Sequence, residues 1–306
     1  MKPTELVVIS GKGGTGKTSL VAAFATLAAE CVLADCDVDA SNLHLIHHSE
    51  LVLREPFSGR VRASIDPDRC TDCGICEAMC RFDAILPTGG NGSSMAFHPT
   101  VNPHLCEGCG VCAWFCPEKA IDLYDGEDGH VLLSKTRCGP MVHARLGVAG
   151  ENSGKLVGLV REQARELATM RELDTILIDG SPGIGCPVIA SLTGADMALI
   201  VTEPSVSGMH DLKRIAELAD GFGIPTLVAV NRWDVNPQLA DEIETLAKEQ
   251  GLEFAGRIRY DNAFSRAQLE GKSVLDIESN GLADDIRQVW SVIHARLDGM
   301  NQPEAL

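Results

Sequence analysis

The feature that most constrains the fold is a glycine-rich segment near the start of the chain. Residues 11–18 match the pattern G-x-x-x-x-G-K-[ST], directly after an apolar run, Leu6–Ile9, and directly before an apolar segment with helical character. Between a strand and a helix, this pattern forms a loop whose backbone N–H groups surround phosphate groups. The segment therefore predicts a phosphate-binding loop.

The loop residues have separate expected roles. The glycines allow close backbone approach, Lys17 supplies positive charge to the β- and γ-phosphates, and the Thr18 hydroxyl reaches Mg²⁺. The residues predicted to bind a nucleotide here are Gly11, Gly13, Gly14, Thr15, Gly16, Lys17 and Thr18.

The twelve cysteines require a different explanation. The N-terminus lacks the apolar run of a secretory signal, so we expect a cytoplasmic protein in which cysteine patterns indicate metal or redox chemistry rather than disulfides. Eight of them form a repeat: Cys70, Cys73, Cys76 and Cys80 are followed 36 positions later by Cys106, Cys109, Cys112 and Cys116. The two copies predict one structural unit that has been duplicated.

This repeat, C-x₂-C-x₂-C-x₃-C in tandem, resembles the bacterial ferredoxins, in which the fourth cysteine of each run binds the cluster of the other run. The resemblance implies two [4Fe–4S] clusters. Their ligands would be Cys70, Cys73, Cys76 and Cys116 for the first, and Cys106, Cys109, Cys112 and Cys80 for the second. Structural zinc is the alternative, which the spacing fits poorly. Arg81 stands where the ferredoxin pattern has proline, which predicts a more exposed or higher-potential cluster beside Cys80.

Strands alternate with helices on both sides of the cysteine-rich segment. This order predicts an α/β fold, with a mostly parallel sheet covered by helices on both faces. We expect a discontinuous ATPase domain at residues 1–54 and 137–306, interrupted by a small α+β ferredoxin-like domain at residues 55–136.

The loop in the form K-G-G-T-G-K-T resembles the MinD/ParA superfamily of P-loop ATPases, which includes the nitrogenase iron protein. The resemblance implies that Lys12 reaches the nucleotide of a partner subunit and that Asp37 orients the attacking water. It also implies that Asp179 holds Mg²⁺ and that Asn231 contacts the purine. Asp35 and Asp39 are equally consistent with capping or surface positions.

Four cysteines lie outside the repeat: Cys31, Cys36, Cys138 and Cys186. We expect each to pack in the interior, because free cysteine is among the most buried residue types. The alternative is a metal site between subunits, made by Cys138 and Cys186. Residues 139–155 are expected to form a polar hinge, although His143 and Lys155 could contact nucleotide or the partner subunit.

The formal charge of −17 and an apolar content of 45% exclude a nucleic-acid-coating surface and general disorder. Eight thiolates and two clusters would bring the charge to about −21, which favours a redox partner with a basic surface. No stretch of sequence is long and apolar enough to predict a membrane span.

Three functions fit these patterns. The first is an ATPase whose nucleotide-driven rearrangement, as a homodimer or as a heterodimer with a paralogous ATPase, is coupled to electron transfer. The second is an iron–sulfur assembly or carrier ATPase with an apo-protein acceptor. The third is a positioning ATPase with sensor clusters. We expect the first, because no cysteine follows Cys186 to form the C-terminal C-x-x-C pair of carrier relatives.

Overall fold

The computed structural model describes residues 2–87, 98–147, 153–277 and 280–301. The chain divides into two compact units. The larger unit comprises Met1–Glu55, Val131–Arg145 and Ser153–Leu306, and the smaller comprises Pro56–His130 and Leu146–Asn152.

The elements of the larger unit alternate along the chain. Its strands are β1 (Thr4–Ser10), β2 (Val32–Asp35), β3 (Glu50–Phe57), β8 (Gly129–Thr136), β9 (Gly139–Leu146), β10 (Thr175–Pro182), β11 (Met197–Thr202), β12 (Thr226–Asn231) and β13 (Glu253–Ile258). Its helices are α1 (Lys17–Ala28), α2 (Leu43–Ile46), α5 (Ser153–Arg171), α6 (Cys186–Leu192), α7 (Val206–Gly221), α8 (Pro237–Glu249), α9 (Ala263–Leu269), α10 (Val274–Ile277) and α11 (Gly281–Asn301).

Across the described residues, the strands of this unit form one nine-stranded sheet in the order β13-β12-β11-β1-β10-β2-β9-β8-β3. The seven strands from β13 to β9 are paired in parallel. Residues of β1, β2, β10 and β11 are almost wholly buried, as expected for strands covered on both faces. The predicted α/β fold with a mostly parallel sheet is confirmed.

Helix α1 follows the glycine-rich loop into the core. Its Phe24 ring stacks on Trp290 of α11, with the ring centroids 5.4 Å apart. Both side chains are buried, so the first and last helices close over the sheet together. This packing fixes the helix that begins at Lys17.

The expected hinge after the cysteine-rich segment is wrong for its first half. Gly139–Leu146 is strand β9, which pairs with β2, and Met141, Val142 and Ala144 are buried. The strand was not predicted because His143 and Arg145 interrupt its apolar residues, which do not alternate regularly. Residues 148–152 of the expected hinge lie outside the described residues.

The smaller unit repeats one short motif. Its elements are β4 (Val61–Ile65), α3 (Ile75–Met79), β5 (Ile85–Leu86), β6 (Thr100–Val101), α4 (Val111–Phe115) and β7 (Ile121–Asp125). Strands β4 and β7 pair antiparallel, as do β5 and β6. Gly74 and Gly110 precede α3 and α4 in the same left-handed conformation, so the sequence repeat is also a repeat of local structure. None of the described helices in either unit is long and apolar enough to cross a membrane.

Candidate functional site

The glycine-rich loop lies at the carboxyl end of β1, immediately before α1. Gly14 and Gly16 adopt φ angles of 81° and 90°, which side chains with a Cβ rarely accept. A Cβ on Gly16 would also lie 2.4 Å from Nδ2 of Asn231. The loop therefore depends on glycine for its conformation and for its contact with β12.

A cavity of about 1510 Å³, including its open mouth, lies over this loop. The predicted residues that line it are Gly13, Gly14, Thr15, Gly16, Lys17, Thr18, Asp37 and Asn231. Gly11, Lys12 and Asp179 do not line the cavity, although Asp179 contacts Lys17 at its base. The structure thus brings most of the predicted nucleotide site to one edge of the sheet.

Several cavity residues were not predicted from the sequence. Tyr260, Asp261, Phe264 and Gln268 line the cavity from the loop after β13 and from α9. Tyr260 and Phe264 offer aromatic faces, and Asp261 and Gln268 offer polar atoms. The signal that could have found them is position, because they follow the carboxyl end of a parallel strand.

Lys17 is 95% buried by side-chain area and forms an ion pair with Asp179. Its ammonium group also lies 3.7 Å from a carboxylate oxygen of Asp37. Burial alone would lower the pKa of Lys17, but the carboxylates of Asp179, Asp37 and Asp35 together outweigh burial and raise the pKa above its ordinary value. Lys17 therefore stays charged, as a phosphate ligand must.

Asp179 has the geometry expected of a residue that holds a cation. Its carboxylate is fully buried; one oxygen contacts Lys17, and the other, Oδ2, has no hydrogen-bond partner among the described residues. A buried carboxylate oxygen without a donor is costly unless a cation or water satisfies it. The donor set of Asp179 and the Thr18 hydroxyl at the cavity wall fits Mg²⁺, which binds through few protein oxygens.

Asp35 is buried, so the surface alternative is wrong, and its bond to Leu43, the first residue of α2, fits the capping alternative. Its carboxylate accepts hydrogen bonds from the hydroxyl of Ser41 at 2.8 Å and from the N–H of Leu43 at 3.1 Å. Burial, together with the nearby Asp179, raises the pKa of Asp35 to about 7. Burial also raises the pKa of Asp37, against the opposing effect of Lys17.

Lys12 lies on the rim of the loop. Its ammonium group pairs with Glu203 and donates to the hydroxyl of Ser207 at 3.2 Å. Its side chain is 38% exposed. Lys12 is thus held by residues that follow β11 and remains accessible from outside.

Asn231 supports the loop. Its side-chain amide donates to the carbonyl of Thr15 at 2.7 Å, and Arg232 donates to the carbonyl of Gly14 at 3.0 Å. These bonds tie the end of β12 to the glycine-rich loop. Asn231 therefore has a direct positioning contact, in addition to its place on the cavity wall.

Three of the four remaining cysteines are buried, as expected, and one is exposed. Cys31, Cys36 and Cys138 are buried, which confirms their packing positions, but Cys186 is exposed at the start of α6. Cys138 is only 4% exposed, so it is not at a surface where a second subunit could share a metal with it. His143 is also buried, with its Nε2 2.9 Å from the hydroxyl of Ser134.

The smaller unit contains two cavities lined by cysteines. The cysteines of one cavity are Cys70, Cys73, Cys76 and Cys116. The cysteines of the other are Cys80, Cys106, Cys109 and Cys112. Each cavity thus has three cysteines from one run and the last cysteine from the other run.

The thiol groups are supported by backbone donors. The N–H of Ala120 donates to Sγ of Cys116 at 3.3 Å, and the N–H of Ala63 donates to Sγ of Cys106 at 3.5 Å. Burial raises the pKa of Cys76 and Cys112. Arg81 is exposed and does not line the second cavity, whereas its neighbour Phe82 does.

Within residues 2–87, 98–147, 153–277 and 280–301, no group of three or more His, Cys, Asp or Glu side chains forms a metal-binding group. The cysteines line the two cavities without converging on a single point.

Comparison with known proteins identifies the family. Residues 6–274 match the CobQ/CobB/MinD/ParA nucleotide binding domain. The chain is 32% identical over 245 residues to the uncharacterized protein MJ0578 of Methanocaldococcus jannaschii, across 76% of this chain and 79% of that protein. It is 26% identical over 161 residues to an iron–sulfur cluster carrier protein of the same organism, across 48% of this chain and 55% of that protein.

A solved structure has the same fold. The septum site-determining protein MinD from Pyrococcus horikoshii, complexed with Mg-ADP, matches with a TM-score of 0.58 and 16% identity, over 98% of this chain and 99% of that chain. The family match covers most of the chain, and the glycine-rich loop lies within it. This chain therefore belongs to the CobQ/CobB/MinD/ParA family of nucleotide-binding domains and is an ATP-binding P-loop ATPase of the MinD/ParA type.

Proposed function

We propose that this ATPase carries two [4Fe–4S] clusters in a ferredoxin domain at about residues 55–136 and couples ATP hydrolysis to electron transfer. The observation that carries the proposal is the lining of the two cysteine cavities. Three cysteines of one run and the last cysteine of the other meet at each cavity, which is the crossed ligand arrangement of two-cluster ferredoxins.

The spacing of the cysteines in sequence favours clusters over single zinc ions. Each run has the spacing C-x₂-C-x₂-C-x₃-C, which is the arrangement of the bacterial ferredoxins. Structural zinc sites usually take their cysteines from pairs with C-x₂₋₄-C spacing, and the third cysteine of each run does not fit that pattern.

Two backbone N–H groups that donate to cysteine sulfurs also support the proposed clusters. The N–H groups of Ala120 and Ala63 each donate to one predicted ligand, Cys116 in the first cavity and Cys106 in the second. Such hydrogen bonds stabilise thiolates and tune the potential of a cluster. When bound, each cluster would accept one electron from a donor protein and pass it to an acceptor protein.

The nucleotide site supplies the ATPase half of the proposal. Lys17 would contact the β- and γ-phosphates, while Thr18 and Asp179 would hold Mg²⁺. Asp37, 3.7 Å from Lys17 at the cavity wall, is the candidate to orient the attacking water. Asn231 would hold the loop and contact the base. Hydrolysis converts ATP and water to ADP and phosphate without a covalent step on the protein.

The coupling requires a second subunit, either a copy of this chain or a paralogous ATPase. Lys12 lies on an accessible rim, where it could exchange Glu203 for the phosphates of a partner subunit. Closure of two subunits around ATP would then change how the clusters meet a redox protein. The acidic chain favours a redox partner with a basic docking surface.

The competing function is iron–sulfur cluster delivery, because a carrier protein is among the relatives. The chain offers no cysteine after Cys186 for such a transient site. A positioning ATPase, as the MinD relative suggests, is the third possibility. The three functions differ in what ATP changes. In electron transfer it changes the reduction potential of the clusters, in cluster delivery it changes which protein holds the cluster, and in positioning it changes where the ATPase is located.

Anaerobic reconstitution with iron and sulfide, followed by EPR and potentiometry with and without a non-hydrolysable ATP analogue, tests the proposal. We expect two [4Fe–4S] signals, and a shift in potential or in electron delivery to a basic redox protein such as cytochrome c when nucleotide binds. Lys17→Ala is the matched control, because it should keep both clusters and lose the nucleotide effect. If the clusters instead pass to an added apo-ferredoxin, and nucleotide changes neither the potential nor electron delivery, the carrier function is established.

A further inference from the structure

The large sheet ends in a strand whose apolar residues are exposed within the part of the chain that the structure describes. In the sheet order defined by the described residues, β3 has β8 on one side and is the edge on the other. The first seven of its eight residues, Glu50–Pro56, are all exposed. Leu51, Val52 and Leu53 are exposed by 56%, 62% and 49%, although apolar side chains in a strand normally pack on at least one face.

The opposite edge of the same sheet is built differently. Strand β13 has no exposed residue, and α8 and α11 both contact it. A long, apolar and uncovered edge is a template for pairing with another strand, and proteins usually protect it with charges, bulges or short length. Strand β3 is eight residues long; Glu50 precedes its apolar centre, Leu51–Leu53, and Arg54, Glu55 and Pro56 follow it, while the centre itself carries no charge. Its exposure therefore points to a partner strand.

We propose that β3 pairs antiparallel with β3 of a second copy of this chain, with Val52 opposite Val52 of that copy. A two-fold axis perpendicular to the sheet must place a residue opposite itself, since directly opposite side chains lie on the same face. With the axis at residue 52, Glu50 lies opposite Arg54, and Leu51 lies opposite Leu53.

The sequence of β3 complements itself in this register. Leu51 and Leu53 each lie opposite an apolar residue. At each end of the paired segment, Glu50 of one copy lies opposite Arg54 of the other copy. Moving the axis to residue 53 would instead place Leu51 opposite Glu55 and Val52 opposite Arg54. Pro56 has no N–H to donate, so it ends the pairing at the right place for a short two-fold interface.

This interface is separate from the nucleotide site and from the cysteine cavities. It uses residues 50–54, whereas the nucleotide cavity is lined from the carboxyl ends of the parallel strands. The dimer through β3 therefore forms without ATP and without iron. It does not rest on the proposed function, and a protein with both interfaces could assemble beyond a dimer when ATP is present.

Sedimentation equilibrium of the full chain without nucleotide, under anaerobic conditions and over a wide range of concentration, tests the proposal. We expect a dimer for the unaltered chain. Val52→Lys places two like charges opposite each other and should weaken the dimer about tenfold or more. Leu269→Lys is the matched control, because it adds the same charge to another exposed apolar position of the same unit, exposed by 89%.

The register has its own test. Glu50→Arg and Arg54→Glu should each weaken the dimer, because each places like charges opposite one another. The combined variant restores opposite charges and should recover most of the affinity. Circular dichroism and ADP binding check that every variant is folded. A monomer in the absence of nucleotide, a dimer unaffected by Val52→Lys, or a combined variant weaker than both single variants would overturn the proposal.

Discussion

The ammonium group of Lys17 contacts the carboxylate of Asp179, 162 positions away in sequence. Strands β1 and β10 are neighbours in the sheet, with Val8 opposite Asp179, so the end of β10 lies under the glycine-rich loop. The ion pair is buried, and the second oxygen of Asp179 has no hydrogen-bond partner among the described residues. The phosphate ligand and the candidate Mg²⁺ ligand are thereby held as one unit.

Replacing Lys17 by alanine should abolish ATP hydrolysis and also destabilise the larger unit. The variant leaves the charge of Asp179 buried without its partner, and breaking a buried ion pair from one side costs about 3–5 kcal/mol. Phosphate release and urea unfolding measure the two effects. The double variant with Asp179→Asn removes both charges, so it should regain much of the stability and none of the activity. A stable, active Lys17→Ala variant would contradict the assignment.

Replacing Gly11 by alanine should destabilise the fold through a steric clash. A Cβ at this position would lie 2.2 Å from Cβ of Asp211, an atom that cannot move without its backbone. Overpacking of this kind costs about 1–3 kcal/mol. Gly13→Ala is the control, because nothing lies within 4 Å of its added Cβ. Urea unfolding of both variants checks the prediction, which equal losses of stability would refute.

The buried His143 should make the protein less stable in mild acid. Burial, with a smaller contribution from His44, lowers the pKa of His143 to about 4. In the unfolded chain, His143 binds a proton below about pH 6.5, whereas in the folded protein it does so only near pH 4. Stability is therefore lost as the pH falls from about 6.5 towards 4. The full effect is on the order of 3 kcal/mol.

The measurement is urea unfolding from about pH 7 to about pH 5, where histidine normally titrates. His143→Gln should flatten the dependence of the unfolding free energy on pH, whatever its effect at neutral pH. His210→Gln, which replaces an exposed histidine, is the matched control. An unaltered slope in His143→Gln would show that other groups control the acid response.

Single cysteine variants should separate the two proposed clusters. Cys80→Ser should remove the cluster of the cavity that Cys106, Cys109 and Cys112 line, although Cys80 belongs to the first run in sequence. We expect about half of the iron to be lost, with one EPR signal remaining. Cys116→Ser should remove the other signal.

Cys186→Ser is the control for this series, because Cys186 is exposed and lies outside both cavities. It should keep the full iron content. Loss of the same signal in Cys80→Ser and Cys73→Ser, two cysteines of one run that line different cavities, would contradict the crossed arrangement.

The local patterns of the sequence determined most of the central fold. Strand β11 is an apolar run, MALIVT, and all six of its residues are buried, as expected for a parallel strand covered on both faces. The glycine-rich loop was equally predictable, since its spacing and its position between strand and helix are both local. The cysteine repeat likewise predicted the residues that line each cavity.

Contacts between distant segments were decided only by the tertiary structure. Strand β9 contains His143 and Arg145 among its apolar residues, and it lies in the sheet because β2 pairs with it. Burial of Asp35, and the contact of Asn231 with the Thr15 carbonyl, depend on how strands far apart in sequence are ordered in the sheet. The exposure of the apolar residues of β3 has the same origin, because it depends on the place of this strand at the end of the sheet.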